Sequence, residues 1–192
     1  QPRGSCRWAT IIRRRYKSST YPTHFISGYV RHRLPLFQLR PDFVSLFLQA
    51  LCFYREKSGL RIFGYVVMPD HYHLLVGFPK EVRVRDFLRD FKSYVGKEIV
   101  ERLRKEEAFD LLESFRLSHP RKRQRDPNYA VFQPDNDDRV IYSERFFRQK
   151  LNYIHNNPVR KNLAPAAADY QGSSCRSYLS GEPHPIRLDS WG

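Results

Sequence analysis

Acidic residues are missing from the first part of this chain. No Asp or Glu precedes Asp42, while nine Lys or Arg residues lie within residues 1–40. A segment with that charge repels cationic partners and suits a phosphate backbone, and its densest cluster is Arg13, Arg14, Arg15 and Lys17. Cysteine is scarce as well. Cys6, Cys52 and Cys175 are far apart and form no Cys-x-x-Cys pair, which excludes a disulfide framework and a paired-thiol zinc or redox motif and fits a reducing compartment. No apolar run approaches the roughly 18 to 20 residues that span a bilayer. The basic start has no apolar stretch behind it, so it does not read as a secretory signal. Its Arg- and Ser-rich composition resembles that of an organellar transit peptide. No internal repeat and no low-complexity segment is present.

What remains is a chain of 192 residues and 23.0 kDa, enough for one domain with a sound core. Hydrophobic residues make up 41% and aromatic residues 15%, so the chain is expected to be globular. A net charge of +14 and a pI near 10.0 favour a polyanionic partner, and the interleaved aromatics suit stacking on unpaired bases. A second basic run, containing Arg121, Lys122, Arg123 and Arg125, carries no packing pattern and reads as a loop available to nucleic acid.

Apolar periodicity orders the chain. Residues 23–30 alternate as a strand, and 42–56 place Phe43, Leu46, Phe47, Ala50, Leu51 and Tyr54 at helical spacing before Ser58-Gly59. Residues 60–68 and 72–78 are apolar and separated by a short turn, so they are expected to pair as an antiparallel hairpin, central in its sheet. A second long helix covers 84–103. Residues 129–133 read as a fourth strand that the run Pro134-Asp135-Asn136-Asp137-Asp138 turns, and Ser143 caps a third helix that Asn156-Asn157-Pro158 should stop. The rest, rich in Pro, Ser and Gly, is expected to wrap the surface. This order predicts an α+β fold, helices packed on an antiparallel sheet.

Within the hairpin, His71 and His73 open the second strand and, two residues apart, face the same side. Two imidazoles on one face can share a cation. A cupin-like site would need a Glu where Gly77 and Phe78 stand, and a His-x-His-x-Asp-His hydrolase would need Asp and His where Leu75 and Val76 stand. Any further ligands must come from elsewhere. On the third helix, a 100° projection puts Phe147, Leu151 and Ile154 on the core stripe. Tyr153 and Asn157 fall together at its edge, and His155 points away.

The run Met68-Pro69-Asp70-His71-Tyr72-His73-Leu74-Leu75-Val76 resembles the histidine-hydrophobic-histidine motif of the small single-tyrosine HUH transposases. Tyr153-Ile154-His155-Asn156-Asn157-Pro158-Val159-Arg160 resembles their tyrosine helix, in the form typical of REP-associated tyrosine transposases. The likeness continues through Val131-Phe132-Gln133-Pro134 and Asp169-Tyr170 to Ser173-Ser174, covering about residues 23–178.

The resemblance implies a ferredoxin-like HUH endonuclease fold and a strand transferase acting on single-stranded DNA at hairpin-bearing repeats. Tyr153 would be the nucleophile, leaving a 5′-phosphotyrosine linkage and a free 3′-hydroxyl, while His71, His73 and Asn157 would hold a divalent metal ion, Mg2+ or Mn2+. Residues 1–22 would then be a DNA-binding arm rather than a targeting peptide, 23–163 the catalytic domain and 164–192 a C-terminal tail. Location in the bacterial cytoplasm, at the nucleoid, follows from the same likeness. Two positions depart from the family pattern: Gly172 stands where relatives usually carry Trp, and Asp70 where they often have Asn or Glu, which adds a carboxylate beside the metal. A catalytically silent DNA-binding protein on the same scaffold is the alternative reading, and a replication or mobilisation initiator a third. A monomer with a complete site and a homodimer that shares one both fit the sequence.

Overall fold

The computed structural model describes residues 21–119, 128–181 and 185–191. Four strands, β1 (Thr23–Val30), β2 (Arg61–Val67), β3 (His71–Gly77) and β4 (Phe132–Ile141), form one sheet in the order β2-β3-β1-β4. Every neighbouring pair is antiparallel. The long helices are α2 (Asp42–Ser58), α3 (Val84–Lys105) and α5 (Glu144–Arg160); α1 (Leu36–Leu39), α4 (Phe109–Glu113) and α6 (Cys175–Ser180) are short. The α+β expectation holds, with helices on both faces of the sheet.

The alternation of β1 and β3 divides the core in two. Ile26, Tyr72, Leu74 and Val76 face α2 and α3, where they meet Phe43, Phe47, Leu51, Phe91 and Val95. Phe25, Val66 and Leu75 face α5 and meet Phe147, Leu151 and Ile154. Glycine permits close approach at two points. A Cβ on Gly28 would lie 2.2 Å from the Tyr72 ring, and one on Gly64 would lie 2.8 Å from Leu151 Cδ1. Gly64 therefore lets α5 seat directly on β2.

The hairpin of β2 and β3 forms as its apolar pattern predicts, but only β3 is internal. β2 is an edge strand, and it is apolar because the C-terminal segment covers its edge. The Val67 N–H donates to the Gly172 carbonyl at 2.8 Å, the Ser174 N–H to the Tyr65 carbonyl at 3.0 Å, and the Ile62 N–H to Asp189 Oδ2 at 2.9 Å. A free edge with these residues would invite pairing with another chain. Trp191 then stacks on Phe147 with ring centroids 4.1 Å apart, tying the tail to α5.

Two further expectations fail. Residues 134–138 are not a turn but the middle of β4, with Asn136 opposite Gly28 and Asp138 opposite Ile26. Pairing with β1 outweighs local turn preference, and an edge strand tolerates both a proline and several charges. Tyr129 makes only an isolated bridge, to Arg116. Pro158 does not end α5, which runs to Arg160. Proline removes only its own N–H, and the Lys161 N–H bonds the Asn157 carbonyl at 3.1 Å beyond it.

Candidate active site between β3 and α5

His71 and His73 stand on the α5 face of β3, both buried, with ring centroids 4.9 Å apart. Each ring is held at Nδ1. His71 Nδ1 lies 2.5 Å from Asp70 Oδ1; a carboxylate only accepts, so His71 carries its proton there and keeps a lone pair on Nε2. His73 Nδ1 lies 2.8 Å from the hydroxyl of Ser27, its cross-strand neighbour on β1. His73 Nε2 is buried and has no hydrogen-bond partner among the described residues. Phe25 stacks against the same ring at 5.4 Å.

Electrostatics favour neutral imidazoles. Burial pushes His73 down to about 3, and the nearby His71, Lys150 and Arg33 act in the same direction. His71 is also lowered, chiefly by burial, with Asp70 opposing and Arg33 and Lys161 assisting. Neutral rings whose Nδ1 atoms are occupied present Nε2 for coordination.

Helix α5 brings the tyrosine to this pair. Ser143 accepts a hydrogen bond from the Phe146 N–H at 3.2 Å and starts the helix, while Phe147, Leu151 and Ile154 fix its rotation against the sheet. The half-buried Tyr153 ring then meets the His73 ring edge-on at 5.1 Å, and Phe25 at 5.8 Å, within one chain. One turn on, Asn157 is 4% exposed, and its Nδ2 has no partner among the described residues. His155 projects to the far side, as its position predicts. It is buried there with Nε2 3.0 Å from Ser174 Oγ.

Cationic groups frame the site. The Lys150 ammonium is 4.3 Å from the Phe25 ring centre and 5.7 Å from that of Tyr153, and the Arg160 guanidinium is 5.8 Å from Tyr153. Arg33 Nε lies 2.9 Å from Asp70 Oδ2. Sequence reasoning did not select Ser27, Arg33 or Lys150. Ser27 enters through strand register, which no single sequence displays, whereas Lys150 shares the Tyr153 side of α5 at i−3 and could have been found. The candidate DNA-binding residues Arg13, Arg14, Arg15 and Lys17, with Arg121, Lys122, Arg123 and Arg125, lie outside the described residues.

Among the described residues, no group of three or more His, Cys, Asp or Glu side chains could hold a metal ion. The two imidazoles still suit a divalent ion, given the orphaned His73 Nε2, and an amide oxygen such as that of Asn157 can complete such a donor set.

Fold and site together define an antiparallel sheet-and-helix domain that sets a histidine pair beside a helical tyrosine. The family described as transposase IS200 like matches residues 17–115, more than half of the chain, and the chain belongs to that family. The matched part contains His71 and His73 and ends before α5. The structure is similar to that of a REP-associated tyrosine transposase bound to a REP hairpin, with a TM-score of 0.59, 19% identity, and 92% of this chain and 91% of that chain covered. That likeness shows the fold. A candidate transposase from Deinococcus radiodurans R1 is similar at 18% identity and a TM-score of 0.42, over 74% of this chain and 96% of that one. No curated protein matches the chain. No helix among the described residues is long and apolar enough to cross a membrane.

Proposed function

We propose that this IS200-like transposase cleaves and rejoins single-stranded DNA at hairpin-bearing repeats through a 5′-phosphotyrosine intermediate. The observation that carries the reading is the Tyr153 ring 5.1 Å from a buried histidine whose Nε2 has no hydrogen-bond partner among the described residues. An unpaired buried nitrogen costs stability, and a role in coordination explains its retention. His71, His73 and the Asn157 amide oxygen would hold a divalent ion, Mg2+ or Mn2+. When bound, that ion supplies charge stabilisation at the scissile phosphate.

The chain's own residues do the rest. The Tyr153 oxygen attacks phosphorus, an O–P bond to tyrosine forms, and the bond to the 3′ oxygen breaks. The phenolic proton is lost and the departing oxygen gains one, so atoms and charge balance without consuming water. Attack by another 3′-hydroxyl reverses these steps and rejoins the strand. Lys150, near the tyrosine ring, and Lys161, near His71, offset the phosphate charge.

The test is denaturing electrophoresis of the full chain incubated with an end-labelled oligonucleotide carrying a hairpin and single-stranded flanks, with Mn2+ or Mg2+. A covalent protein–DNA adduct is expected, absent in Tyr153→Phe. An adduct that persists in Tyr153→Phe would overturn the nucleophile, and full cleavage by His71→Ala with His73→Ala would overturn the metal ligands. Binding without cleavage on every such strand would favour the silent DNA-binding protein.

A further inference from the structure

The backbone just after β1 is strained for a reason that the reaction does not explain. Residues Arg31–Arg33 form a single 3-10 turn in which His32 (φ 56°) and Arg33 (φ 56°) are both left-handed. Glycine would adopt this conformation freely, so two consecutive larger residues mark a position held by its surroundings. The consequence is the placement of one side chain. The Arg33 guanidinium lies back over the Tyr29 ring, 4.4 Å from its centre, and forms an ion pair with Asp70, Nε to Oδ2 at 2.9 Å. Tyr29 pairs across the strands with His71, their rings 5.9 Å apart, and Asp70 Oδ1 holds His71 Nδ1. Tyr29, Arg33, Asp70 and His71 thus close a ring of contacts.

Within that ring, one carboxylate serves two partners with its two oxygens. Arg33 is anchored only at Nε; its two η nitrogens have no hydrogen-bond partner among the described residues, and the side chain is 49% exposed. Its charge is felt at both imidazoles, as are those of Lys161 at His71 and Lys150 at His73. Fixing a guanidinium beside a pair meant to hold a cation is unfavourable; Asp70, between Arg33 and His71, offsets part of that repulsion, and an oxyanion on the exposed side of Arg33 would offset more. A fork with one edge anchored and the other free is the geometry that takes an oxyanion.

We propose that Arg33, held by Asp70 and Tyr29, binds a non-bridging phosphate oxygen of the DNA strand entering the site, and that Asp70 is the positioning residue for both Arg33 and His71. This rests on the proposed strand-transfer function, but it concerns a contact made before any bond is broken.

The contact is tested by fluorescence anisotropy of the full chain with the labelled hairpin oligonucleotide in EDTA, comparing unmodified DNA with a series carrying one methylphosphonate at each flank linkage. Wild type should weaken at one linkage when the charged oxygen is removed. Arg33→Ala should bind unmodified DNA about tenfold more weakly and lose its response at that same linkage. Arg33→Lys, which keeps the charge but not the fork, should fall between them. In DNA-free protein, Mn2+ affinity read by electron paramagnetic resonance should fall roughly 10- to 100-fold in Asp70→Asn and hold or rise in Arg33→Ala.

Undiminished DNA binding by Arg33→Ala, a methylphosphonate response it shares with wild type, or a loss of Mn2+ affinity in that variant would each overturn the proposal. The last would make Arg33 a structural strut. Wild type that shows the linkage response yet never forms the covalent adduct would sink the proposed function and leave the Arg33 contact standing.

Discussion

Gly28 sits under the Tyr72 ring, where an added Cβ would lie 2.2 Å from Cζ and 2.3 Å from the hydroxyl oxygen. The ring is also wedged among Phe47, Phe91 and Phe132, so it has little room to withdraw. Gly28→Ala should cost about 3 kcal/mol in urea unfolding, at the upper end of overpacking effects. Tyr72→Leu removes the obstruction and leaves a void, so the double variant should be no less stable than Tyr72→Leu alone. If the two changes add, the steric coupling is wrong. The pairing of these two residues was not legible in the sequence, because it depends on the register that sets Gly28 opposite Tyr72. His71 and His73 were legible as a pair, since a period of two needs no knowledge of the partner strand. Their Nδ1 partners divide in the same way: Asp70 is adjacent in the chain, while Ser27 lies 46 residues off.

At the scale of elements, β1, α2 and α3 form almost where their periodicity puts them, because each has a continuous apolar stripe to bury. β4 and the end of α5 differ for one shared reason: their local signals, acidic residues with proline in one and Asn-Asn-Pro in the other, are weaker than the surfaces they pack on. The buried His155 of α5 shows what such packing costs. Burial drives its pKa down to about 3, below the ordinary 6.5, so it is neutral in the fold and becomes protonated on unfolding as pH falls. The unfolded chain therefore binds more protons between those values, and the contribution is fully present above 6.5 and lost as pH drops toward 3. At pH 5 the loss is about 2 kcal/mol, 1.5 units below the unfolded value. Metal-free protein in EDTA should melt several degrees lower at pH 5 than at pH 8. His155→Phe, which keeps a ring beside Tyr178, should melt with a shallower pH dependence. An equally steep profile in that variant would assign the acid sensitivity to other groups.

Across the whole molecule, the tail is the part that sequence described least well, and it bears on how the site is assembled. It was expected only to wrap the surface, yet it seals the β2 edge and stacks Trp191 on Phe147 of α5. Those contacts, with the seat that Gly64 gives Leu151, hold α5 against its own sheet, so Tyr153 lies beside His73 of the same chain. Exchange of α5 with a second copy would have to break all of them. On the proposed function, each molecule then completes its site alone. A mixture of Tyr153→Phe with the His71→Ala, His73→Ala double variant tests this, because one partner keeps the histidines and the other the tyrosine. In the adduct assay the mixture should be as inactive as either component, at every ratio and at high protein concentration. Restored adduct formation carried on the histidine-deficient chain would mean that a tyrosine helix reaches the histidines of another copy, and the cis arrangement would fall. Covalent attachment labels the chain that supplied Tyr153, so a size tag on one variant reads the answer directly from the gel.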